Sequence, residues 1–504
     1  MKDITTGKTL KDKLLTGATK LNEIVSLTLG PRGRNVLLDR GGNHLITNDG
    51  YAIAREVSLE CPVENLGARV MFESCKQTNA RAGDGTTSSI VLATEILRRG
   101  LQSETSPVLL KDELVALIPA VNKVVSSLSI PLTSDRVRAI ATNSSACAQL
   151  GEHIASAFER VGLDGVVTLT ENTLGHTTLT HVDGAEFPVS LVTPHMIESP
   201  STLGTTYDNA RLLVHDGPIK SLNDILPVLE SAHAEKIPLA IIADDFSNEV
   251  IAAVLANRAK ANLRVILLKL DEIPTRRTVT LHDLVALTNS ELGGLGKVDR
   301  LVADMSVTRL MVGTTCNRPL KDRIEMIKSQ LATCTDEFER SILQRRLARL
   351  TSGIAILGIG APTEVELRER KLRAEDALAA VRAGAREGIV AGGGITYLHI
   401  AKSLNHPILS PALESISRKI YENAGQDADY ICRVIMEKPY KNPTKNPCKK
   451  NKKIFHGFDA KNLRFCNMLE SNIIDPAAVI REVITNALSA AATLLTTEAA
   501  IIPK

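Results

Sequence analysis

Tryptophan is absent from this 504-residue sequence, and aromatic residues make up only 3% of it. Any core must therefore be assembled from Leu, Ile, Val and Ala, which favours a helix-rich architecture. An excess of either charge is also lacking: 60 basic side chains face 57 acidic ones, for a net charge of +3. That balance argues against nucleic acid or an anionic membrane as the main partner. The eight cysteines (Cys61, Cys75, Cys147, Cys316, Cys334, Cys432, Cys448 and Cys466) form no C-x-x-C pair and no spaced Cys/His set. Structural zinc and a disulfide framework are disfavoured, and reduced thiols in the cytoplasm are expected. The start, Met1-Lys-Asp-Ile-Thr-Thr, has no apolar leader, and no uncharged apolar run reads as a membrane span. Apolar content of 44% excludes general disorder, and 504 residues exceed one core, so two or three domains are expected.

What is present begins with Asn79-Ala-Arg-Ala-Gly-Asp-Gly-Thr-Thr-Ser-Ser89, set between apolar-periodic segments at 66–78 and 90–97. The spacing predicts a helix-loop-helix turn. Gly83 and Gly85 let backbone N–H groups approach a ligand, and Thr86, Thr87, Ser88 and Ser89 add hydroxyls where the next helix begins with unpaired donors. That is a seat for a phosphate. Asp84 would repel a bare phosphate there, so its presence makes sense with a hard cation between them, and magnesium-nucleotide is the economical reading. A second turn of the same kind, Thr28-Leu-Gly-Pro-Arg-Gly-Arg34, follows a helix expected over 9–27. A short β-hairpin is expected from 36–38 and 44–47, ending at Asn48-Asp49-Gly50 and bringing in another carboxylate.

Helical patterns dominate to about residue 131. From Gly165 the texture becomes β-branched runs and then alternating strand and helix, which predicts an inserted α/β domain with a largely parallel sheet. An antiparallel helix pair is expected over 319–350, turning near 333–336, then a strand over 353–360 and a long helix over 364–387. The organisation is nested, a helical part beginning and ending the chain.

Seven ordered motifs now stand together: Thr28-Leu-Gly-Pro-Arg-Gly-Arg-Asn35, Asn48-Asp-Gly50, Ala82-Gly-Asp-Gly-Thr-Thr87, Thr363-Glu-Val-Glu366, Glu375-Asp-Ala-Leu378, Gly388-Ile-Val-Ala-Gly-Gly-Gly394 and Ile474-Asp-Pro476. In order and spacing the chain resembles the group I chaperonins of the 60-kilodalton class, from about residue 8 to the end. The resemblance implies a multi-domain α and α/β fold with three parts. These are a helical equatorial ATPase domain (1–131 and 387–504), an intermediate hinge domain (132–182 and 355–386) and an inserted α/β apical domain (183–354). It further implies an ATP-driven foldase acting as a homo-oligomeric seven-membered ring, single or double, with unfolded client proteins and a lid co-chaperonin as partners.

Carried over by position, Asp84 would ligate magnesium, and Gly85, Thr86, Thr87 and Ser88 would hold phosphates with Thr28, Leu29, Gly30 and Pro31. Thr28 and Thr87 are candidates for a potassium site. Gly393 and Asp475 would line the nucleoside end, Asp376 would orient the attacking water, and Asp49 would assist. Clients would bind an exposed apolar groove of Leu226, Leu229, Ile251, Leu255 and Ala256, with Leu191, His195 and Met196 on the neighbouring loop. Taken alone, Asp376 reads as a solvated carboxylate, Asp475 before Pro476 as a helix N-cap, and the leucine stripe as core.

Several positions depart from the family pattern. Asn48 stands in place of a lysine beside the phosphates, although its carbonyl could still help hold a monovalent cation. His195 replaces an aromatic, and Asp459-Ala460-Lys461 stands where an Asn-Ala-Ala contact to the base is usual. The chain ends at Lys504 without a Gly-Met-rich tail. The stretch 438–453, with seven lysines, three prolines and no acid, is expected to be a solvated loop that weakens contact between rings. The alternative to an active foldase is a chaperonin-derived holdase or scaffold with weak ATP turnover.

Overall fold

The computed structural model describes residues 2–40, 43–163, 165–172, 174–198, 204–261, 263–270, 272, 274–312, 318–334, 336–351, 353–437 and 455–503. The lysine-rich stretch 438–453 lies outside the described residues. The chain divides into two compact units, one built from Met1–Ala155, Glu171–Thr177 and Ile359–Lys504, the other from Ser156–Thr170 and Thr178–Gly358.

The first unit starts with β1 (Lys2–Thr6) and α1 (Gly7–Val25), whose Leu10, Leu14, Ala18, Leu21 and Val25 form the buried stripe expected of an amphipathic helix. The hairpin of β2 (Val36–Arg40) and β3 (Asn43–Thr47) follows, then α2 (Gly50–Glu56) and α3 (Pro62–Ala82). α1 and α3 cross at near-backbone contact: a methyl group at Gly17 would lie 1.8 Å from the Glu64 carbonyl oxygen, and one at Gly67 would lie 2.3 Å from that of Leu14. α4 (Thr86–Leu101), α5 (Pro107–Ala116), α6 (Ile118–Leu128) and α7 (Ser134–Ser145) come next. Proline opens α3, α5 and α6, where its missing N–H has no intrahelical acceptor to lose. α8 (Ala148–Val161) leads into the second unit.

That unit holds a three-stranded sheet, in which β13 (Ile354–Ile359) lies between β4 (Val166–Glu171) and β5 (Thr178–Val182), and a seven-stranded sheet. The larger sheet contains β6 (Gly184–Phe187), β7 (Val189–Leu191), β8 (Gly204–Val214), β9 (Leu239–Ala243), β10 (Val265–Leu270), β11 (Leu295–Asp304) and β12 (Thr308–Met311). Its order is β6-β12-β11-β8-β9-β10-β7. Only β8 with β9 and β9 with β10 run parallel, so the sheet is mixed rather than largely parallel. The cause lies in β11, which alternates buried and exposed residues, pairs antiparallel with β8, and turns straight back into β12. The Asp304 carboxylate makes that turn by accepting from the Ser306 and Val307 N–H groups at 2.7 and 2.9 Å.

α9 (Leu226–Glu235), α10 (Asn248–Ala261) and α11 (Pro274–Thr288) accompany this sheet, and α12 (Arg318–Thr333) and α13 (Glu337–Thr351) form the expected hairpin. The hairpin is tied to α11 by an ion cluster: fully buried Asp283 accepts from Arg323 Nε at 2.8 Å and from Arg346 Nε and Nη2 at 2.9 Å. Both carboxylate oxygens are matched by guanidinium forks, the condition under which a buried charge is tolerated.

The chain completes the first unit with α14 (Glu364–Glu387), β14 (Ile389–Ala391), α15 (Ile395–Leu404), α16 (Leu409–Asn423) and α17 (Ala428–Glu437). β15 (His456–Asp459), β16 (Arg464–Asn467), β17 (Ile474–Pro476), α18 (Ala477–Leu495) and β18 (Ala499–Pro503) end it. Thr363 caps α14 by accepting from the Glu366 N–H at 3.3 Å, with Glu364 and Glu366 in the positively polarised first turn. β1 pairs with β18, which brings the two chain ends together. By length and composition α18 could cross a membrane, although Arg481 and Glu482 interrupt it; 67% of its most apolar window is buried, and it packs on α3 and α4 as a core helix does.

Candidate functional site

Both glycine turns read from the sequence lie in the first unit, and they meet. Gly83 ends α3 at φ 68° and Gly85 opens α4 at φ 82°, left-handed values that favour glycine at both positions. A methyl group at Gly83 would come within 2.1 Å of Ala379 Cβ on α14, so the turn is pressed against that helix. Among the described residues no side chain caps α4. The Thr86, Thr87 and Ser88 N–H groups therefore begin the helix without intrahelical acceptors, at its positive end.

The second turn passes Thr28, Leu29, Gly30 (φ 86°) and Pro31. Thr28 Oγ1 donates to the Val25 carbonyl at 2.8 Å and lies 3.3 Å from Thr87 Oγ1. Asn423, at the end of α16, pins this turn by donating to the Ser26 and Leu29 carbonyls at 2.8 and 2.9 Å. Sequence reading missed Asn423, because a lone amide at a helix end carries no motif. The start of α2 closes in from a third direction: a methyl group at Gly50 would sit 2.1 Å from Thr87 Oγ1. Asp49 caps α2 with both carboxylate oxygens, accepting from the Tyr51 and Ala52 N–H groups at 2.9 and 3.1 Å.

Carboxylates gather around this junction. Burial first, then the charges of Asp49, Asp84 and Glu375, push the Asp376 carboxyl up to about 8. Burial likewise raises Asp84, with the Gly85 N–H opposing it, and burial followed by the Asp84 charge pushes Asp475 up to about 7. Asp475 sits on β17 opposite Val390, and a methyl group at Gly392 would lie 2.9 Å from its Oδ1. It is not the cap of α18, whose N-cap position is Pro476. Gly393 follows at φ 64°, with space for its Cβ taken by Met468 Cε at 2.7 Å. Buried Tyr397 adds a phenol beside Asp475 and Asp84, a residue the sequence reading did not single out.

The structure thus brings Thr28, Leu29, Gly30, Pro31, Asn48, Asp49, Asp84, Gly85, Thr86, Thr87, Ser88, Asp376, Gly393 and Asp475 into one unit, around backbone donors, hydroxyls and carboxylates. No group of three or more His, Cys, Asp or Glu side chains among the described residues is placed to hold a metal by itself. A magnesium ion here would have to draw most of its ligands from phosphate oxygens and water. The donor set fits that use: an anion seat at a helix start, with one carboxylate, Asp84, in the turn itself. The Asp459 carboxylate is engaged locally: it accepts from the Lys461 and Asn462 N–H groups at 3.0 and 3.1 Å and from Asn462 Nδ2 at 2.7 Å, closing the β15–β16 turn.

In the second unit the apolar positions divide. Leu226 (38% exposed), His195 and Ala256 are at the surface, and Ile251 and Leu255 are half-buried against the core. Leu191, Met196 and Leu229 (6% exposed) are core residues, which corrects the expectation that all of them line an exposed groove. The reasons are local. Leu191 pairs with Leu268 in the sheet, Met196 Sδ lies 3.3 Å from the Leu267 nitrogen, and Leu229 and Ala232 occupy the buried face of α9 while Leu226 begins that helix at its open end. Arg258 on α10, another residue without a sequence signal, holds the loop of His195 by donating to Glu198 Oε1 at 3.0 Å and to the Tyr207 hydroxyl at 3.2 Å.

Residues 21–504 match the TCP-1/cpn60 chaperonin family. Among solved structures the chain is similar to chaperonin gp146 from the bacteriophage EL 2 (Pseudomonas aeruginosa), crystallised in the presence of ATP-BeFx. Crystal form II gives a TM-score of 0.73 at 18% identity and crystal form I gives 0.66 at 17%, each covering 99% of both chains. At such identity the structural likeness concerns the fold. The family match spans nearly the whole chain and includes both glycine turns and the α14 carboxylate, and on that ground the chain belongs to the TCP-1/cpn60 chaperonin family.

Proposed function

We propose that this chaperonin subunit binds magnesium-ATP at the Thr28–Thr87 junction, hydrolyses it, and couples hydrolysis to the folding of captured proteins. The observation that carries this reading is the convergence of two glycine turns, an uncapped helix start and the carboxylates of Asp49, Asp84 and Asp376 on one point. Magnesium supplies charge neutralisation on the phosphates when bound. The chain supplies the positioning: N–H groups of Thr86, Thr87 and Ser88 receive phosphate oxygens, and Asp84 anchors the ion. Asp376 orients the attacking water. Asp49, with both oxygens engaged as a cap, acts by fixing the start of α2 beside Thr87. The Thr28 and Thr87 hydroxyls offer a place for potassium.

In this reading 1–131 with 387–504 is the ATPase part, 132–182 with 355–386 the hinge, and 183–354 the client-binding part. Clients meet Leu226, Ile251, Leu255, Ala256 and His195. Chaperonins as a family form rings, and two exposed apolar strand pairs support self-association here: Ile4 with Ile501 (66% and 61% exposed) and Leu37 with Ile46 (66% and 59%). A heptameric ring, encapsulation and a lid partner belong to the same proposal. Weak turnover is favoured by one observation, the absence of a lysine at Asn48, and describes a holdase. ATPase activity of the purified protein with and without a denatured client, alongside particle mass, tests the reading. Turnover stimulated by client in a ring-sized particle supports the foldase; client capture without turnover supports the holdase; neither overturns both.

A further inference from the structure

The neighbouring charges that help raise Asp84, Asp376 and Asp475 are those of other carboxylates: Asp49 on Asp84; Asp49, Asp84 and Glu375 on Asp376; Asp84 on Asp475. A nucleoside triphosphate entering this ground meets repulsion that one divalent ion at Asp84 offsets only in part. Among the described residues a cation bonded to a residue of the site is Arg373, which is also ion-paired with Glu369. It lies on α14 three residues before Asp376, so the two project from neighbouring positions of one helix face. Its Nη2 donates to Asn48 Oδ1 at 3.2 Å and to Glu369 Oε1 at 2.7 Å, and its Nη1 donates to the Ser145 carbonyl, the last of α7, at 3.4 Å. These contacts use three of the five N–H donors of a guanidinium. Asn48 is the residue before the Asp49 cap, and Gly50 after it touches Thr87 of the phosphate seat.

We propose that Arg373 is the cation of this site for the terminal phosphate of a nucleoside triphosphate, aimed by Asn48. The reading rests on the nucleotide site proposed above and adds to it a residue that discriminates triphosphate from diphosphate. An arginine suits the place because its planar fork can keep the Asn48 and Ser145 acceptors while turning remaining donors to phosphate oxygens. An uncharged amide at position 48 is then consistent with function, since it accepts from the guanidinium where a second cation would repel it. Sharing α14 with Asp376, Arg373 is also a positioning residue: when it engages the terminal phosphate, Asp376 is drawn to the same end of the ligand.

Charge and scaffolding separate in four variants of the full chain: Arg373→Gln, Arg373→Lys, Asn48→Lys and the double variant Arg373→Gln/Asn48→Lys. Binding of magnesium with a non-hydrolysable ATP analogue and of magnesium-ADP is measured by titration calorimetry, with thermal melting as the check on folding. Arg373→Gln keeps hydrogen-bonding capacity without charge and is expected to weaken the triphosphate by about tenfold or more while ADP changes less than about twofold, a difference near 1.4 kcal/mol. Arg373→Lys is expected to retain most of the triphosphate affinity, and Asn48→Lys to restore it in the Arg373→Gln background. Equal loss for both nucleotides without rescue, or no loss, overturns the inference and leaves Arg373 a clip between helices. If Arg373→Gln fails to fold, Arg373→Lys decides: a folded lysine variant with tenfold weaker triphosphate binding overturns it. A wild-type protein that binds neither nucleotide overturns the nucleotide site itself, an outcome distinct from wild-type binding with unchanged variants.

Discussion

Asp376 holds a proton at neutral pH in the absence of ligand, because burial and three neighbouring carboxylates push it up to about 8. Unfolded, the same side chain titrates near its ordinary value of 3.8. Between these values the folded state binds more protons than the unfolded one, so this group makes stability fall as pH rises from about 4 to about 8. Asparagine has no charge to bury. Asp376→Asn is therefore expected to raise the melting temperature of the ligand-free protein by about 2 °C or more at pH 8, and by little at pH 5. Scanning fluorimetry at both pH values checks it, and an equal shift at the two values contradicts the charge argument. The proposed chemistry makes a separate demand on the same residue. Asp376→Ala should leave magnesium-nucleotide binding nearly intact while slowing single-turnover hydrolysis by about tenfold or more, whereas Asp84→Ala should abolish the magnesium dependence of binding. Hydrolysis at the wild-type rate in the first variant, or unchanged magnesium dependence in the second, removes those roles.

At the scale of elements, α9 shows how one helix carries both core and surface within a single turn. Leu229 is 6% exposed and Leu226 is 38% exposed, three residues apart. Leu229→Ser should cost about 2–5 kcal/mol in denaturant unfolding, as a lost core leucine does, whereas Leu226→Ser should cost less than about 1 kcal/mol. If Leu226 meets clients, its serine variant loses capture of a denatured protein at unchanged stability. Capture equal to wild type removes it from the client surface. Helix limits governed by local chemistry were legible in the sequence: 364–387 is bounded by Thr363 and Gly388, an N-cap hydroxyl and a residue at φ 80°. The hairpin at 36–47 and the α12–α13 pair were equally readable from turn residues and periodicity. Strand direction in the large sheet was not, because a strand of alternating pattern such as β11 has the same sequence whether its neighbour runs with it or against it.

For the whole molecule, the exposed pairs Ile4–Ile501 and Leu37–Ile46 are the features that call for a partner surface. Leu37→Asp is expected to shift mass photometry of the purified protein from ring-sized particles toward single subunits while leaving the melting temperature within about 2 °C, since the side chain is already solvated in the subunit. Rings of unchanged size at micromolar concentration contradict a role for that hairpin in assembly. The register that sets Ile4 on one chain end beside Ile501 on the other also means that both ends contribute to one such surface, through the pairing of β1 with β18.

The family, the nested course of the chain and the residues of the glycine turns were all legible along the chain, because each depends on backbone conformations and caps set within a few neighbouring residues. Asp376 on a long helix and Asp84 in a glycine turn between two helices were legible in the same way. Which of these side chains act on one another is fixed by packing between distant segments. Asn48 and Arg373 are 325 residues apart, Thr28 and Thr87 are 59 apart, and their approach is a product of helix packing that no local pattern records. The same packing turned Leu191, Met196 and Leu229 inward and engaged the Asp459 carboxylate in its own turn. Burial and carboxylate crowding, properties of the assembled unit, raise Asp376 from an ordinary acid to one that titrates near neutrality.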